Sequence, residues 1–365
     1  MTEYHIDQSN LTEPLLQWYD GHARILPWRS NPVPYHVWVS EIMLQQTRVE
    51  AVKPYFDRFL TTLPDLASLA QASEETILKL WEGLGYYNRV RNMQKAAKIV
   101  MEDYGGNLPG DPQTLQKLPG IGEYTAGAVA SIAFGKVIPC VDGNVLRVFA
   151  RLLSSDADIM KPQVRKEFTQ LIQGLIPLER PGDFNQALME LGATVCLPNG
   201  APLCQDCPLQ QICLGRQKGT MLDLPVKTGK KPRRIEERTV LILTSGRQIA
   251  LRRRPEIGLL AGLWEFPSLE GHRSLEEIRR VLSDWDKHLA SVSIQPIPPA
   301  KHIFTHVEWH MTGYFIECSK PTAGIREENH GGWQQDLIWM DAEKLERDIA
   351  LPTAFRKLFQ QKQEM

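Results

Sequence analysis

Four cysteines, Cys196, Cys204, Cys207 and Cys213, fall within eighteen residues in the pattern C-x7-C-x2-C-x5-C. Few chemistries bring four thiols that close. A four-thiolate zinc site is one and an iron–sulfur cluster is another. Disulfide pairing fits poorly. The chain has only two further cysteines, Cys140 and Cys318, and its polar opening MTEYHIDQSN is no secretory signal. A cytoplasmic setting is expected, where close cysteines generally hold metal. The x2 and x5 gaps do not separate zinc from iron.

At 365 residues the chain is long enough for two or three domains. The longest nearly apolar run, Tyr124 to Gly135, is too short to cross a bilayer and reads as a packed helix. Net charge is −1, and residues 1–220 carry 20 Lys and Arg against 23 Asp and Glu. Bulk charge therefore gives no support for nucleic-acid binding, which has to rest on local geometry.

Residues 1–219 read as mostly helical. Apolar residues recur three and four apart through Trp38–Val52, Ile77–Leu84, Met93–Met101, Ala126–Phe134 and Phe168–Ile176. Residues 220–236 read as a linker, with five cations and no acid in KTGKKPRR. Residues 237–365 read as a smaller α+β domain. TVLILTSGRQIALRRR alternates and turns at Ser-Gly like a hairpin, and residues 302–318 alternate like a strand pair. Helices are expected near 274–283 and 353–361.

Several segments have both a plain and a chemical reading. In LPGIGEYTAGAVASIAFG, Gly120 and Gly122 allow a tight turn between two helices. It is an ordinary connection, or a phosphate seat made of free backbone N–H groups. The flanking Leu-Pro and the small-residue run favour a helix-hairpin-helix. Asp142 opens VDGNVLRVFARLL. By itself it suits an N-cap, the common role of Asp at such a place; the other reading is a carboxylate facing a developing positive charge. Glu41 sits among Val37, Trp38, Val39, Ile42, Met43 and Leu44. It is a first-turn helix acid, or a general acid whose pKa is raised by apolar surroundings. GLGYYNRVRN is a packed aromatic segment beside an Arg face, or an aromatic wedge with phosphate contacts.

Together with PWR (27–29), PYHVWVSEIMLQQTRV, FNQALMELGATVC and GLLAGLWEFP, these segments span nearly the whole chain. In that order the chain resembles the helix-hairpin-helix DNA glycosylases that carry a [4Fe–4S] cluster, and within them the adenine-removing members. The resemblance implies a helical catalytic region over 1–219. That region would comprise a six-helix barrel module, the helix-hairpin-helix and an iron–sulfur module at 190–215. It also implies a Nudix-like domain over 237–365. The partner implied is double-stranded DNA with adenine opposite 8-oxoguanine or guanine, acted on by a monomer with no membrane involvement.

By the same resemblance Glu41 is the general acid/base, Asp142 stabilises or transiently bonds the sugar, and Tyr124 and Asn144 support them. Arg24, Trp28, Arg29 and Gln186 match the adenine pocket. Gln46, Thr47, Leu84 and Tyr86 match residues around the lesion and the intercalation site. Leu118, Gly120 and Gly122 match the DNA-binding turn, and Phe304, Thr305 and His306 match the lesion-reading loop. The cysteines match the cluster ligands.

Lyase members of the family carry Lys where this chain has Tyr124, so base removal without strand cleavage is expected. SLEGHRSLEEIRRVL lacks the Nudix metal carboxylates, which favours recognition of the oxidised base over hydrolysis. The chain departs from the family in the seven-residue first cysteine gap, in the lack of basic residues there, and in Phe-Thr-His where Phe-Ser-His is usual. The rival readings are an endonuclease III-like glycosylase/lyase, a non-catalytic iron–sulfur DNA-binding protein, and a Nudix-type hydrolase with a DNA-binding appendage.

Overall fold

The computed structural model describes residues 6–229, 232–322 and 337–363, and for 360–363 the backbone alone. Contacts divide the chain into two compact units, one joining 1–72 to 92–230 and the other joining 73–91 to 231–365.

In chain order the helices before residue 230 are α1 (Gln8–His22), α2 (Pro27–Ser30), α3 (Pro34–Leu44), α4 (Val49–Thr62), α5 (Leu66–Gln71), α6 (Glu74–Leu80), α7 (Asn88–Asp103), α8 (Pro112–Leu115), α9 (Glu123–Phe134), α10 (Gly143–Leu152), α11 (Pro162–Gln173), α12 (Pro181–Thr194) and α13 (Leu214–Gln217). All but α6 and the first turn of α7 lie in the first unit. Proline opens α2, α3, α8, α11 and α12, where its missing N–H is no loss. Helix α3 buries Tyr35 and every residue from Val37 to Met43, so it runs through the core with apolar contact on nearly all sides.

The periodic stretch Trp38–Val52 is not one helix. Gln46 adopts φ +57° between α3 and α4 and turns the chain. No Gly or Pro marks that turn in the sequence.

Two glycines permit close approach around the cavity described below. A Cβ on Gly127 of α9 would stand 2.7 Å from the Pro139 carbonyl, and one on Gly192 of α12 would stand 2.6 Å from Asn144 Cβ. Real Cβ atoms do not come that near. The bare backbone therefore lets the segment leading to Asp142 lie on α9, and lets α12 lie on the start of α10. After the cysteine loop the chain stays on this unit. Arg151 Nε donates to Leu224 O (3.0 Å) and Ile159 N to Val226 O (3.1 Å), so the first part of the basic tether is strapped down. Residues 230 and 231 lie outside the described residues.

The second unit is built on strands β1 (Arg234–Ser245), β2 (Gln248–Arg253), β3 (Trp264–Glu265), β4 (Ser268–Glu270), β5 (Ser293–Ile303), β6 (Val307–Glu317) and β7 (Ile338–Asp341), with helices α14 (Leu275–Trp285), α15 (Ala342–Asp348) and α16 (Thr353–Gln363). The strand order is β3-β2-β1-β6-β5, with β4 on β1 and β7 on β2. β1 and β6 run parallel, from Arg234 opposite Val307 to Thr244 opposite Glu317. The run Val240–Leu243 alternates between two cores. Val240 and Ile242 join Trp309 and Phe355 on one face, while Leu241 and Leu243 join Ile278 and Leu282 on the other.

The strand pair expected within 302–318 is the hairpin β5–β6, turning at 304–306. Its first strand begins earlier, at Ser293, where Pro296, Pro298 and Pro299 hide it. β5 is the last strand in the sheet order, a position that tolerates proline. No described helix is long and apolar enough to cross a membrane.

Candidate active site

A cavity of about 500 Å³ opens between α2, α3, α9, α10 and α12 of the first unit. Ten residues singled out in the sequence line it: Arg24, Trp28, Arg29, Glu41, Gln46, Thr47, Tyr124, Asp142, Asn144 and Gln186. They come from five separate stretches of chain.

Glu41 lies in the last turn and a half of α3, not in its first turn, because the helix already begins at Pro34. Only 7% of the residue is exposed. Its Oε2 accepts a 2.8 Å hydrogen bond from the Tyr124 hydroxyl, in the first turn of α9. Burial pushes the Glu41 carboxyl up to about 7. The Tyr124 bond opposes this, Asp142 reinforces it, and Arg29 opposes it. A carboxyl so placed exchanges a proton near neutral pH.

Asp142 is the N-cap of α10. Its Oδ1 accepts from Asn144 N (2.9 Å) and Val145 N (2.8 Å), and its Oδ2 accepts from Asn144 Nδ2 (2.7 Å). Burial raises its pKa, against the pull of these donors and of Arg147. The capping role and the lining role coincide: the helix start holds an anionic oxygen pair at the cavity wall. Arg147 Nη2 in turn donates to Asn144 Oδ1 (2.9 Å) and to Gly192 O (2.8 Å), which fixes the amide that faces Asp142.

Glu190 was not singled out in the sequence. It is 1% exposed and takes three hydrogen bonds from Arg24 and one from Arg29, including Arg24 Nε at 2.6 Å and Arg29 Nη2 at 2.8 Å. Burial acts to raise its carboxyl, but the two guanidiniums outweigh that and hold it below the usual range. The available signal was spacing: Glu190 follows Gln186 by four on α12 and so shares its face. Asn185 was also missed. It is fully buried, accepts from Cys140 N (2.9 Å) and donates to Ile138 O (2.8 Å). It thereby pins the segment that delivers Asp142.

The turn between α8 and α9 has Gly120 at φ +77°, where a Cβ would also meet Asn92 Cβ at 2.8 Å. Gly122 is the N-cap of α9 with no side-chain cap, and both glycines are exposed. The Leu118 side chain is buried in the core, so this residue offers only main chain to a ligand.

Leu84, Tyr86, Phe304, Thr305 and His306 lie in the second unit. Leu84 is buried, whereas Tyr86 is 47% exposed, and its hydroxyl is 2.8 Å from Thr305 Oγ1. Phe304 packs on Trp309 with ring centroids 4.8 Å apart, which leaves Thr305 and His306 exposed at the tip of the β5–β6 hairpin. On α14, Glu277 is committed to a capping box with Ser274.

All four cysteines of the 196–213 loop line one small cavity of about 30 Å³, none of them in a disulfide, and Arg151 Nη1 lies 3.4 Å from Cys196 Sγ. Among the described residues no group of three or more side chains is drawn into metal-binding geometry.

Residues 39–174 match the HhH-GPD superfamily of base excision DNA repair proteins, and residues 238–361 match the NUDIX domain. The chain is 36% identical to the adenine DNA glycosylase of Rattus norvegicus over 98% of its own length and 80% of the relative's. It is 34% identical to that of Buchnera aphidicola from Acyrthosiphon pisum over 99% and 98%. Among solved structures, a thermostable thymine-DNA glycosylase is 28% identical, with a TM-score of 0.52, over 58% of this chain and 97% of that one.

Proposed function

The chain belongs to the adenine DNA glycosylase family of base excision repair, and we propose that it hydrolyses the N-glycosidic bond of an adenine flipped out of duplex DNA, preferring adenine opposite 8-oxoguanine. The observation that carries this reading is Glu41: a buried carboxyl near pKa 7, bonded to Tyr124, lining one cavity with Asp142.

In this reading the extruded base enters between Trp28, Arg24 and Gln186. Glu41 gives its proton to the adenine ring and the leaving group departs neutral. Asp142 faces the oxocarbenium-like sugar, and Glu41 then takes a proton from the attacking water. Tyr124 holds Glu41 by its hydroxyl. It has no amine to form a Schiff base with the sugar, so the product is an abasic strand that breaks only on treatment with alkali. The exposed start of α9 would seat a DNA phosphate.

Reading of the oxidised base is assigned to Thr305 and His306, with the exposed Tyr86 as the stack-entering side chain and the buried Leu84 as its support. 8-Oxoguanine differs from guanine by a carbonyl at C8 and a hydrogen on N7. A hydroxyl can donate to the first or accept from the second. One such bond is worth about 0.5–1.5 kcal/mol net, and two approach the scale at which a polar site rejects the unmodified analogue. Thr305→Ala with His306→Ala is expected to lower the A·8-oxoguanine over A·G preference at least roughly threefold. The measurement is the ratio of single-turnover rates on the two duplexes, with and without alkali. An unchanged ratio moves lesion reading to Gln46, Thr47, Leu84 and Tyr86.

Cys196, Cys204, Cys207 and Cys213 are proposed to hold a [4Fe–4S] cluster. Four cysteine side chains around one cavity form the donor set such a cluster takes. Bound there, it would cross-link the loop into a fixed shape. Protein purified anaerobically is expected to carry about four iron and four sulfide per chain. Stoichiometric zinc without sulfide overturns the assignment.

A further inference from the structure

Residues 73–91 lie in sequence within the helical half, yet they belong to the second unit. The attachment is specific. Lys79 of α6 donates to Glu346 O (2.6 Å) and to Ile349 O (3.0 Å), and Ile349 is the C-cap of α15. Glu82, three residues on, accepts from Leu351 N (2.9 Å) and pairs with Arg356 in the first turn of α16. A cation thus meets the carbonyl end of α15, the sign that end favours, and a carboxylate holds the linker N–H just before α16. Both side chains are largely buried, and they also pair with each other at 2.8 Å.

Immediately after this plug the chain makes a tight excursion. Gly83 takes φ +99°, Gly85 +71° and Tyr86 +50°. Trp81 Nε1 and Arg89 Nη2 both donate to Gly85 O, and Arg89 Nη2 also to Leu84 O, each at 3.1 Å. A tyrosine in the left-handed region persists only where its surroundings over-determine it. The excursion ends with the Tyr86 hydroxyl on Thr305. The loop is therefore held at one end by the α15–α16 junction and at the other by the β5–β6 tip.

We infer that Glu82 and Arg356 are positioning residues for recognition of the base opposite adenine, fixing the Leu84–Tyr86 loop against Thr305 through the α15–α16 junction. This rests on the assignment of lesion reading to Thr305 and His306, with Tyr86 beside them. Neither Glu82 nor Arg356 touches DNA in this account; they act through the loop.

The test uses the full-length protein. Arg356→Met removes one of the two cations paired with Glu82. Glu82→Gln removes the charge but keeps an acceptor for Leu351 N, so it is tolerated where the first variant leaves a buried acid short of a partner. Each is expected to lower the A·8-oxoguanine over A·G rate ratio about twofold to threefold, no more than loss of the reading groups themselves, by misplacing the loop, with the A·G rate itself at the wild-type level. Binding-induced fluorescence of 2-aminopurine placed beside the lesion, a report of base unstacking, should fall in parallel. Arg356→Lys should restore both in part. A purely structural role would lower the melting temperature and leave ratio and fluorescence alone, and that result for both variants overturns the inference. Thr305→Ala with His306→Ala is run alongside. If that variant lowers the ratio and the Glu82 and Arg356 variants do not, anchoring fails while lesion reading by the hairpin tip stands. If the ratio survives all of them, the reading itself fails.

Discussion

Glu41→Gln lowers the single-turnover rate of adenine release at least roughly 10²-fold near pH 7, with duplex binding retained. Gln keeps the length of the side chain and an acceptor for the Tyr124 hydroxyl, so the cavity wall is preserved. What it removes is the proton. The same group sets a pH signature. Because burial lifts the Glu41 carboxyl to about 7, the wild-type rate should fall as pH rises through that value, and the residual rate of the variant should not.

Stability moves with the same group. A carboxyl raised from 4.5 to about 7 binds its proton more tightly in the folded state than in the unfolded chain. The stability it contributes is complete below 4.5 and is lost as pH rises through about 7. Glu41→Gln cannot lose that contribution. Its melting temperature should therefore decline less than that of the wild type between about pH 5 and pH 8. A variant as active as wild type, with an unaltered pH profile, would take Glu41 out of the chemistry.

Asp142→Asn is expected to cost a comparable factor, on the order of 10²–10³ in the same rate, because a fixed charge facing the developing sugar cation is lost. Asparagine is as good an N-cap as aspartate, so α10 should keep its start and the variant its fold. The two substitutions separate by their pH behaviour. Asp142→Asn leaves the Glu41 proton in place, and the descending limb near pH 7 should survive at a reduced height, shifted down because the neighbouring negative charge that helps raise Glu41 has gone. A rate within a few-fold of wild type would reduce Asp142 to its capping role. The double variant should be little worse than either single one, since both act on one transition state.

Much of the fold is legible in the chain because the signals are local. Period-three-and-four runs mark helices such as α7 and α9, and the Ser-Gly turn marks the β1–β2 hairpin. The break at Gln46 was not legible, since a left-handed glutamine is imposed by tertiary contacts rather than by propensity. β3, β4 and β7 are four residues or fewer, too short for alternation to register.

The proposed catalytic pair, Glu41 and Asp142, is read by resemblance. What the residues alone could not give was which of two ordinary roles each acid plays. Asp142 turns out to be the N-cap and a cavity-lining carboxylate at once. Glu190 escaped because an acid in a helix reads as solvated, and only the fold shows that Arg24 and Arg29 converge on it from about 160 residues away. Residues 73–91 illustrate the same limit: their helical pattern says nothing of the partner that Lys79 and Glu82 have found beyond residue 345.

The Glu190 cluster has a consequence for how charge behaves in the cavity. Two guanidiniums, Arg24 and Arg29, stand against two carboxylates, Glu190 and Asp142, and in the proposed reaction Glu41 enters protonated and neutral. The walls thus begin electrically balanced. When the proton passes to the base in that reaction, one positive and one negative charge appear a hydrogen bond apart, and the total does not change. No counter-ion has to be drawn in or expelled during the chemical step. Dissolved salt then acts on the long-range approach of the protein to the phosphate backbone, and the cavity works as a closed electrical compartment in which charge is redistributed but never accumulated.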